Sequence, residues 1–176
     1  VEAYRHARDC DPISAFGGVI AFNRMVDLET AKELASTFVE VVIAPEFAPE
    51  ALETLKKKKD VRLLDIGPKV TGASQGMDLK KVVGGLIYQD RDLGRIPDVR
   101  DLKVVTKRKP TDEEYQALAF AWKVCKHVKS NAIIFTHKDR TIGIGAGQMS
   151  RVDSVRLAVM KAQFPLKGTV LASDAF

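Results

Sequence analysis

The sequence predicts an α/β protein, and three observations lead to this class. Strand-like and helix-like segments alternate through the first third of the chain, as they do where helices cover a parallel sheet. Residues 41–44 form a continuous apolar run, which is typical of a strand buried on both faces. A capping box at residues 111–114 opens the longest predicted helix. We expect part of a first α/β lobe over 1–66, a connector with short strands over 67–107, and part of a second α/β lobe over 108–176.

The composition is that of a globular protein, with 45% hydrophobic and 29% charged residues among 176. The net charge of +5 mildly favours anionic ligands. The lysine run 56–59 ends a predicted helix and complements its dipole, so we favour a solvated helix end over nucleic-acid binding. Cys10, Cys125 and the histidines lack metal-ligand spacing. Without a signal peptide or an apolar run of ~20 residues, the sequence predicts a cytoplasmic protein that does not cross a membrane.

Local signals define the elements of the first lobe. Residues 2–8 indicate a helix, and residues 19–22 indicate a short strand. Asp27 is the predicted N-cap of a helix with one apolar face. The buried strand follows, and Pro49 suits the first turn of another helix. A strand at residues 61–64 completes the alternation.

The connector begins at residues 67–76, which are rich in glycine, proline, serine and threonine. Residues 82–89 are predicted to form one strand, interrupted by Gly84 and Gly85 at a bulge or a close backbone approach. Residues 102–106 are predicted to form a further short strand.

The second lobe opens with a helix capped by Thr111 that ends near His127. This helix is apolar on two faces, so we expect it to be central and buried. Strands are predicted at 133–135 and 141–144, and a last strand is expected to begin at Gly168.

Between these strands, Ser150 and Asp153 form a capping signature that predicts a helix beginning at Arg151. The apolar residues expected to line this helix are Val152, Val155 and Val159.

The glycine-rich loop at residues 143–147 carries the strongest indication of chemistry. Its G-x-G-x-G spacing leads into a helix N-terminus, where free N–H groups and a partial positive charge suit a phosphate. Arg151 adds a bidentate cation in the first turn. Gln148 stands where a dinucleotide fingerprint has its third glycine, and no G-K-[S/T] follows, which excludes a P-loop. The alternative is a glycine-rich hairpin that packs tightly against a neighbouring strand.

Several polar residues leave two interpretations open. Asn131 joins a predicted helix to a strand, so its amide either caps this junction or points into a cleft. Arg151 either binds an anion or pairs with Asp153. Glu40 precedes a buried strand, where its carboxylate either accepts hydrogen bonds from a ribose or lies on the surface. Gln148 has no apolar or helical reason to stand in the loop, which favours a ligand contact.

Taken together, these motifs resemble the transformylase domain of the bifunctional purine-biosynthesis family that combines AICAR formyltransferase with IMP cyclohydrolase. The motifs that carry the resemblance are D-P-I-S-A-F-G-G (11–18), V-V-I-A-P (41–45), Q-D-R-D-L (89–93), K-S-N (129–131), I-G-I-G-A-G-Q-M-S-R (142–151) and A-S-D-A-F (172–176). The resemblance spans essentially the whole chain. It implies a cytidine-deaminase-like fold of α/β/α layers with a mixed sheet and no zinc, and the sequence has neither H-x-E nor P-C-x-x-C.

The resemblance also implies an activity. The family's domain transfers a formyl group from 10-formyltetrahydrofolate to the 5-amino group of AICAR, and no metal is implied in this chemistry. Family members dimerise and share active sites across the interface. The second hypothesis is a non-catalytic nucleotide- or anion-binding module that has kept the glycine loop.

Roles follow from the resemblance residue by residue. Asn131 is expected beside the reacting carboxamide and amine, and Arg151 at the nucleotide phosphate or nearby polar groups. Glu40 is expected to contact the ribose or base, although the family often has Asp there. Val152 is expected near the folate. The remaining expected substrate-binding residues are Phe16, Gly17, Gly145, Gly147, Gln148 and Phe176.

The resemblance further implies a fragment truncated at both ends. In the family a catalytic Lys-His pair precedes the D-P-x-S-x-F-G segment, and a catalytic Asp and a phosphate-binding Arg follow S-D-A-F; these 176 residues contain neither group. The cyclohydrolase domain is also not among them. We therefore expect the isolated chain to transfer no measurable formyl group.

Overall fold

The computed structural model describes residues 1–67, 76–94 and 98–174, so Phe176 lies outside the described residues. It has helices together with parallel and antiparallel sheets, which confirms the predicted α/β class. In chain order the main elements are α1 (Glu2–Cys10), β1 (Gly18–Ala21), α2 (Leu28–Ala35), β2 (Val39–Ala44), α3 (Pro49–Leu55), β3 (Arg62–Asp65), β4 (Met77–Val82), β5 (Gly85–Asp90), α4 (Asp112–Cys125), β6 (Ile133–Thr136), β7 (Thr141–Gly145), α5 (Arg151–Lys161) and β8 (Val170–Ser173).

The first sheet is parallel, with β2 between β1 and β3. Both predicted helix starts are confirmed: the Asp27 carboxylate accepts the Thr30 N–H at 2.8 Å, and Pro49 occupies the first turn of α3. Glu40 is a residue of β2 rather than the residue before it.

A hydrophobic core lies on one face of this sheet. Leu34 on α2, Leu55 on α3 and Val42 on β2 are fully buried there. On the other face Val19 and Leu64 are exposed, and β2 alternates between buried and more accessible residues. The prediction that β2 is buried on both faces is therefore wrong. A continuous apolar run indicates that a strand is buried, but it does not indicate which face of the sheet the helices cover.

The connector contains a β-hairpin in place of the predicted single strand. Strands β4 and β5 pair antiparallel, and Gly84, with φ of 81°, lies in the turn between them. The two glycines mark a chain reversal and not a bulge, because φ > 0 in a tight turn selects glycine. The strand predicted at 102–106 does not form; a short 3-10 helix, Val99–Asp101, precedes an unpaired segment.

The second sheet is antiparallel in the order β7-β6-β8. Helix α4 begins with the predicted capping box, in which Thr111 and Glu114 exchange hydrogen bonds of 2.7 and 3.3 Å. Thr136 on β6 donates to the Ala117 carbonyl of α4, whereas α5 packs on the opposite face of the sheet. The central strand β6 is thus buried on both sides.

Helix α5 begins at Arg151 as predicted, although the Ser150 side chain makes no capping hydrogen bond. Its buried residues are Ser154 and Ala158, whereas Val152 and Val159 are exposed. The expectation that valines define the packed side of α5 is therefore wrong. The helix backbone lies so close to β7 that only small side chains fit between them.

Helix α1 and the residue that follows it connect α2 with α5. Arg5 and Arg8 both donate to the Glu33 carboxylate of α2, at distances between 2.6 and 2.8 Å. Directly after α1, Asp11 pairs with Lys161 at the end of α5 at 2.7 Å. Within the described ranges, no helix is long and apolar enough to cross a membrane.

Candidate functional site

Asn131 lies two residues before β6, where the loop after β7 returns to the sheet. Its Nδ2 donates to the carbonyl oxygens of Gln148 at 2.8 Å and Met149 at 3.0 Å. Its backbone N–H also donates to the Gln148 carbonyl, at 3.2 Å. Both amide hydrogens are therefore held by main-chain oxygens, which orients the Oδ1 atom away from the loop.

Arg151 meets this amide from the N-terminus of α5. Its Nη2 donates to Asn131 Oδ1 at 2.8 Å, and its Nη1 donates to Ser173 Oγ at 2.9 Å and to the Asp174 carboxylate. The alternative pairing with Asp153 is not formed, because Asp153 binds Arg156 at 3.1 Å.

Asp174, directly after β8, is a member of this cluster that the sequence analysis missed. Its carboxylate accepts the Ala132 N–H at 2.9 Å and the Arg151 guanidinium. Hydrogen bonds from Ser130, from Ala132 and from Arg151 hold the pKa of Asp174 far below its ordinary value. The carboxylate is therefore ionised and neutralises part of the Arg151 charge. An acidic residue at a predicted strand end was the available signal.

Ser154 on α5 also contacts this cluster, and the sequence analysis missed it. It is fully buried on α5, and its Oγ donates to the Asn131 carbonyl at 2.7 Å. A serine between valines on a predicted helix was the available signal, because a buried hydroxyl needs a partner.

Gly143 and Gly145 are explained by close packing. A Cβ built on Gly143 would lie 2.3 Å from the Ala158 carbonyl oxygen, and one on Gly145 would lie 1.8 Å from that of Ser154. The tight-packing alternative therefore describes these glycines, with a helix as the neighbour instead of a strand. A substrate contact at Gly145 stays a prediction.

Gly147 and Gln148 form the turn that carries carbonyl groups to Asn131. Gly147 has φ of 68°, and its N–H donates to the Lys129 carbonyl at 2.8 Å. The Gln148 side chain folds back to donate to the Ala146 carbonyl at 3.0 Å. The main chain of Gln148 thus positions Asn131, while a ligand contact by either residue stays a prediction.

The cluster borders a groove beside α4. Ser173 and Asp174 line this groove together with Tyr115 and Trp122 of α4. Val152, next to Arg151, is more than half exposed at the start of α5. Solvent and small molecules therefore reach the surroundings of the cluster.

Three predicted residues lie together at the first sheet. The exposed Phe16 ring packs on Phe38 with centroids 5.1 Å apart. Gly17, with φ of 70°, donates its N–H to the Phe38 carbonyl at 2.9 Å. A Cβ on Gly17 would lie 3.8 Å from Glu40 Oε1, which places that carboxylate beside the turn.

The structure thus has two groups of candidate residues, one around Asn131 and one around Gly17. Among the described residues, no hydrogen bond, ion pair or ring contact joins the two groups. Nor do the described residues include a group of three or more histidine, cysteine, aspartate or glutamate side chains that could hold a metal ion.

Comparison with known proteins identifies the family. A family model described as the AICARFT/IMPCHase bienzyme matches residues 1–161. The chain belongs to the AICARFT/IMPCHase family. This confirms the resemblance inferred from the motifs.

Relatives of this chain are bifunctional purine biosynthesis proteins named PurH. Identity is 56% to that of Magnetococcus marinus and 53% to that of Sorangium cellulosum, each over 99% of this chain. It is 51% to that of Myxococcus xanthus over 100% of this chain. The chain spans 35%, 33% and 35% of these three proteins, respectively, or about a third of their length.

Proposed function

We propose that this chain is part of a formyltransferase that moves a formyl group from 10-formyltetrahydrofolate to AICAR in purine biosynthesis. The observation that supports it most is the fixed orientation of the Asn131 amide, whose Oδ1 accepts a hydrogen bond from Arg151 at 2.8 Å. This arrangement occurs in a chain of the AICARFT/IMPCHase family.

The proposed reaction is an acyl transfer to an amine. The 5-amino nitrogen of AICAR attacks the formyl carbon, a C–N bond forms, and the bond from the formyl carbon to N10 of the folate breaks. The proton lost by the amine reaches N10. Asn131 Oδ1 has a second lone pair, with which it accepts an amine N–H and orients the nitrogen.

Arg151 supplies the proposed anion contact. Within the described part of the chain, its three hydrogen bonds to Asn131, Ser173 and Asp174 leave the Nε–H and one Nη2–H for a ligand. It also stands in the first turn of α5, where the helix dipole favours negative charge. A phosphate or another polar group of the nucleotide suits this position.

The group around Gly17 suits the nucleoside portion. The Glu40 carboxylate accepts hydrogen bonds from ribose hydroxyls, and the exposed Phe16 ring offers an apolar face to the base. Val152 is exposed next to Arg151, which suits an apolar edge of the folate. Substrate roles for Gly145, Gly147, Gln148 and Phe176 belong to the same proposal.

Calorimetric titration with AICAR tests the proposal. We expect saturable binding that Arg151→Ala weakens at least tenfold, or about 1.4 kcal/mol. Arg156→Ala is the matched control, because Arg156 lies on the same helix with its side chain 76% exposed. Equal affinities of Arg151→Ala and Arg156→Ala would contradict the anion contact.

The second candidate is a non-catalytic nucleotide- or anion-binding module. The cation at the N-terminus of α5 favours it, because such a site needs no reacting amine. Titration with ribose 5-phosphate separates the two candidates. Affinity for ribose 5-phosphate equal to that for AICAR would favour the module, whereas a clear preference for AICAR would favour the transferase.

A further inference from the structure

Asp11 organises the turn that leads from α1 to β1. Its Oδ1 accepts the Ser14 N–H at 3.0 Å, and its Oδ2 accepts the Ser14 hydroxyl at 2.9 Å. Its backbone carbonyl accepts the Ala15 N–H, also at 3.0 Å. Hydrogen bonds to this one residue therefore fix the start of the turn, and the turn ends at Phe16 and Gly17.

The same carboxylate is bound by α5. Lys161, the last residue of that helix, places its Nζ atom 2.7 Å from Asp11 Oδ2. The hydrogen bonds from Lys161 and from the Ser14 N–H hold the pKa of Asp11 below its ordinary value, so the carboxyl group is ionised at neutral pH. A charged contact between two partly shielded side chains thus attaches the turn to the C-terminal end of α5.

Helix α5 is held firmly against β7. A Cβ added to Gly143 or to Gly145 would lie 2.3 Å or 1.8 Å from a carbonyl oxygen of the helix. Packing this close leaves the helix little room to slide or tilt. The N-terminal end of the same helix carries Arg151, which binds Asn131. The two groups of candidate residues are therefore attached to opposite ends of one helix, about 15 Å apart.

We propose that Asp11 is a positioning residue, which through Ser14 and Lys161 sets the place of the Phe16–Gly17 turn relative to Arg151. In the described part of the chain no hydrogen bond, ion pair or ring contact joins the two groups directly, so their spacing depends on contacts made through the helix between them. A nucleotide that touches both groups binds more tightly when this spacing is fixed in advance. The inference rests on the proposed function in assigning both groups to one nucleotide.

Amide hydrogen exchange of the whole chain, followed by mass spectrometry, tests the attachment without a ligand. We expect Asp11→Ala to raise the exchange rate of residues 14–18 at least tenfold, because the turn loses the carboxylate that binds Ser14 and Lys161. Lys161→Met leaves the hydrogen bonds to Ser14 in place. It is expected to raise the same rate about threefold, as suits a partly exposed ion pair.

Two further variants serve as controls for the exchange experiment. Lys161→Arg keeps the cation and is expected to exchange as the parent chain does. Arg156→Met removes an ion pair of 3.1 Å with Asp153 on the same helix and is expected to leave residues 14–18 unchanged. An unchanged rate in Lys161→Met would overturn the attachment to α5. An equal rise in Arg156→Met, or an equal rise across residues 133–145, would do the same, since either indicates general loosening.

Calorimetric titration tests the consequence for the site with two ligands. Asp11→Ala is expected to weaken AICAR binding at least tenfold but to weaken the binding of inorganic phosphate by less than about twofold, because phosphate contacts only the Arg151 group. A general loss of structure weakens both ligands alike, so equal losses would overturn the positioning role. An affinity for AICAR equal to that of the parent chain would also overturn it.

Failure of the inference is distinguishable from failure of the proposed function. A parent chain that binds no AICAR contradicts the proposed function. The exchange rates of residues 14–18 in Asp11→Ala and Lys161→Met then still support or overturn the coupling of the turn to α5.

Discussion

Asp174 holds the guanidinium of Arg151 on the side opposite Asn131. Arg151 donates to Asn131 Oδ1 at 2.8 Å from Nη2, and its Nη1 donates to the Asp174 carboxylate. The same carboxylate accepts the Ala132 N–H, next to Asn131 in the chain. A charged acceptor therefore ties the end of β8 to the start of both β6 and α5, and the orientation of the candidate site depends on its ionisation.

Asp174→Asn is expected to destabilise the chain at neutral pH more than at acidic pH. Hydrogen bonds from Ser130, from Ala132 and from Arg151 lower the pKa of Asp174 in the folded chain. The unfolded chain therefore binds the proton more readily than the folded chain. The contribution of Asp174 to the free energy of unfolding is complete above the unfolded pKa of about 3.9 and is lost as the pH falls through the folded pKa. Urea unfolding between pH 7 and pH 3 measures the difference between variant and parent.

The control for this prediction is Asp153→Asn, which removes a surface carboxylate paired with Arg156 on α5. Its effect on the free energy of unfolding is expected to be smaller. A constant difference between Asp174→Asn and the parent chain across the whole pH range would contradict the role of the ionised carboxylate.

Gly145→Ala is expected to destabilise the fold even without a ligand. The added Cβ would lie 1.8 Å from the Ser154 carbonyl oxygen, which belongs to a helix backbone that cannot rotate away. Overpacking of this kind typically costs about 1–3 kcal/mol, and a backbone clash lies at the upper end. Thermal and urea unfolding measure the loss.

Gly76→Ala provides the comparison, because no heavy atom of the described residues lies within 4 Å of its Cβ position. It is expected to change the free energy of unfolding by less than about 0.5 kcal/mol. Unchanged stability in Gly145→Ala would contradict the packing role of Gly145.

Sequence patterns predicted the features that depend on neighbouring residues. The Asp27 cap, Pro49 in the first turn of α3 and the capping box of Thr111 and Glu114 each involve groups within three residues or one turn of one another, and all are present. The beginning of α5 at Arg151 was predicted for the same reason.

Features that depend on distant residues were not predicted. Asp174 joins the site because β8 pairs with β6, which brings it to Ala132 across 42 residues of sequence. The side of α5 that is buried faces the glycines of β7, and the valines of the helix do not determine it. Gly84 forms a turn because β4 and β5 pair, and a local pattern of two glycines does not distinguish a turn from a bulge.

Ser154→Ala is expected to destabilise the chain by about 1–3 kcal/mol, because it leaves the Asn131 carbonyl without its buried donor. Ser36→Ala is the control. The Ser36 hydroxyl also donates to a carbonyl, that of Glu33 at 2.7 Å, but in an exposed position where water replaces it. Urea unfolding measures both variants, and equal losses in the two would contradict the supporting role of Ser154.

Glu40→Gln is expected to weaken AICAR binding about tenfold without a comparable change in stability. The exposed carboxylate lies beside Gly17, and hydrogen bonds to a charged group contribute about 1.5–3 kcal/mol. Glu46→Gln, an exposed carboxylate beyond the end of β2, is the control and is expected to bind normally. Calorimetric titration of AICAR measures both. If Glu40→Gln binds AICAR as tightly as Glu46→Gln, the ribose contact is absent and Glu40 is a surface residue of the strand. A carboxylate that accepts hydrogen bonds from two ribose hydroxyls cannot be neutralised without a change in the affinity for AICAR.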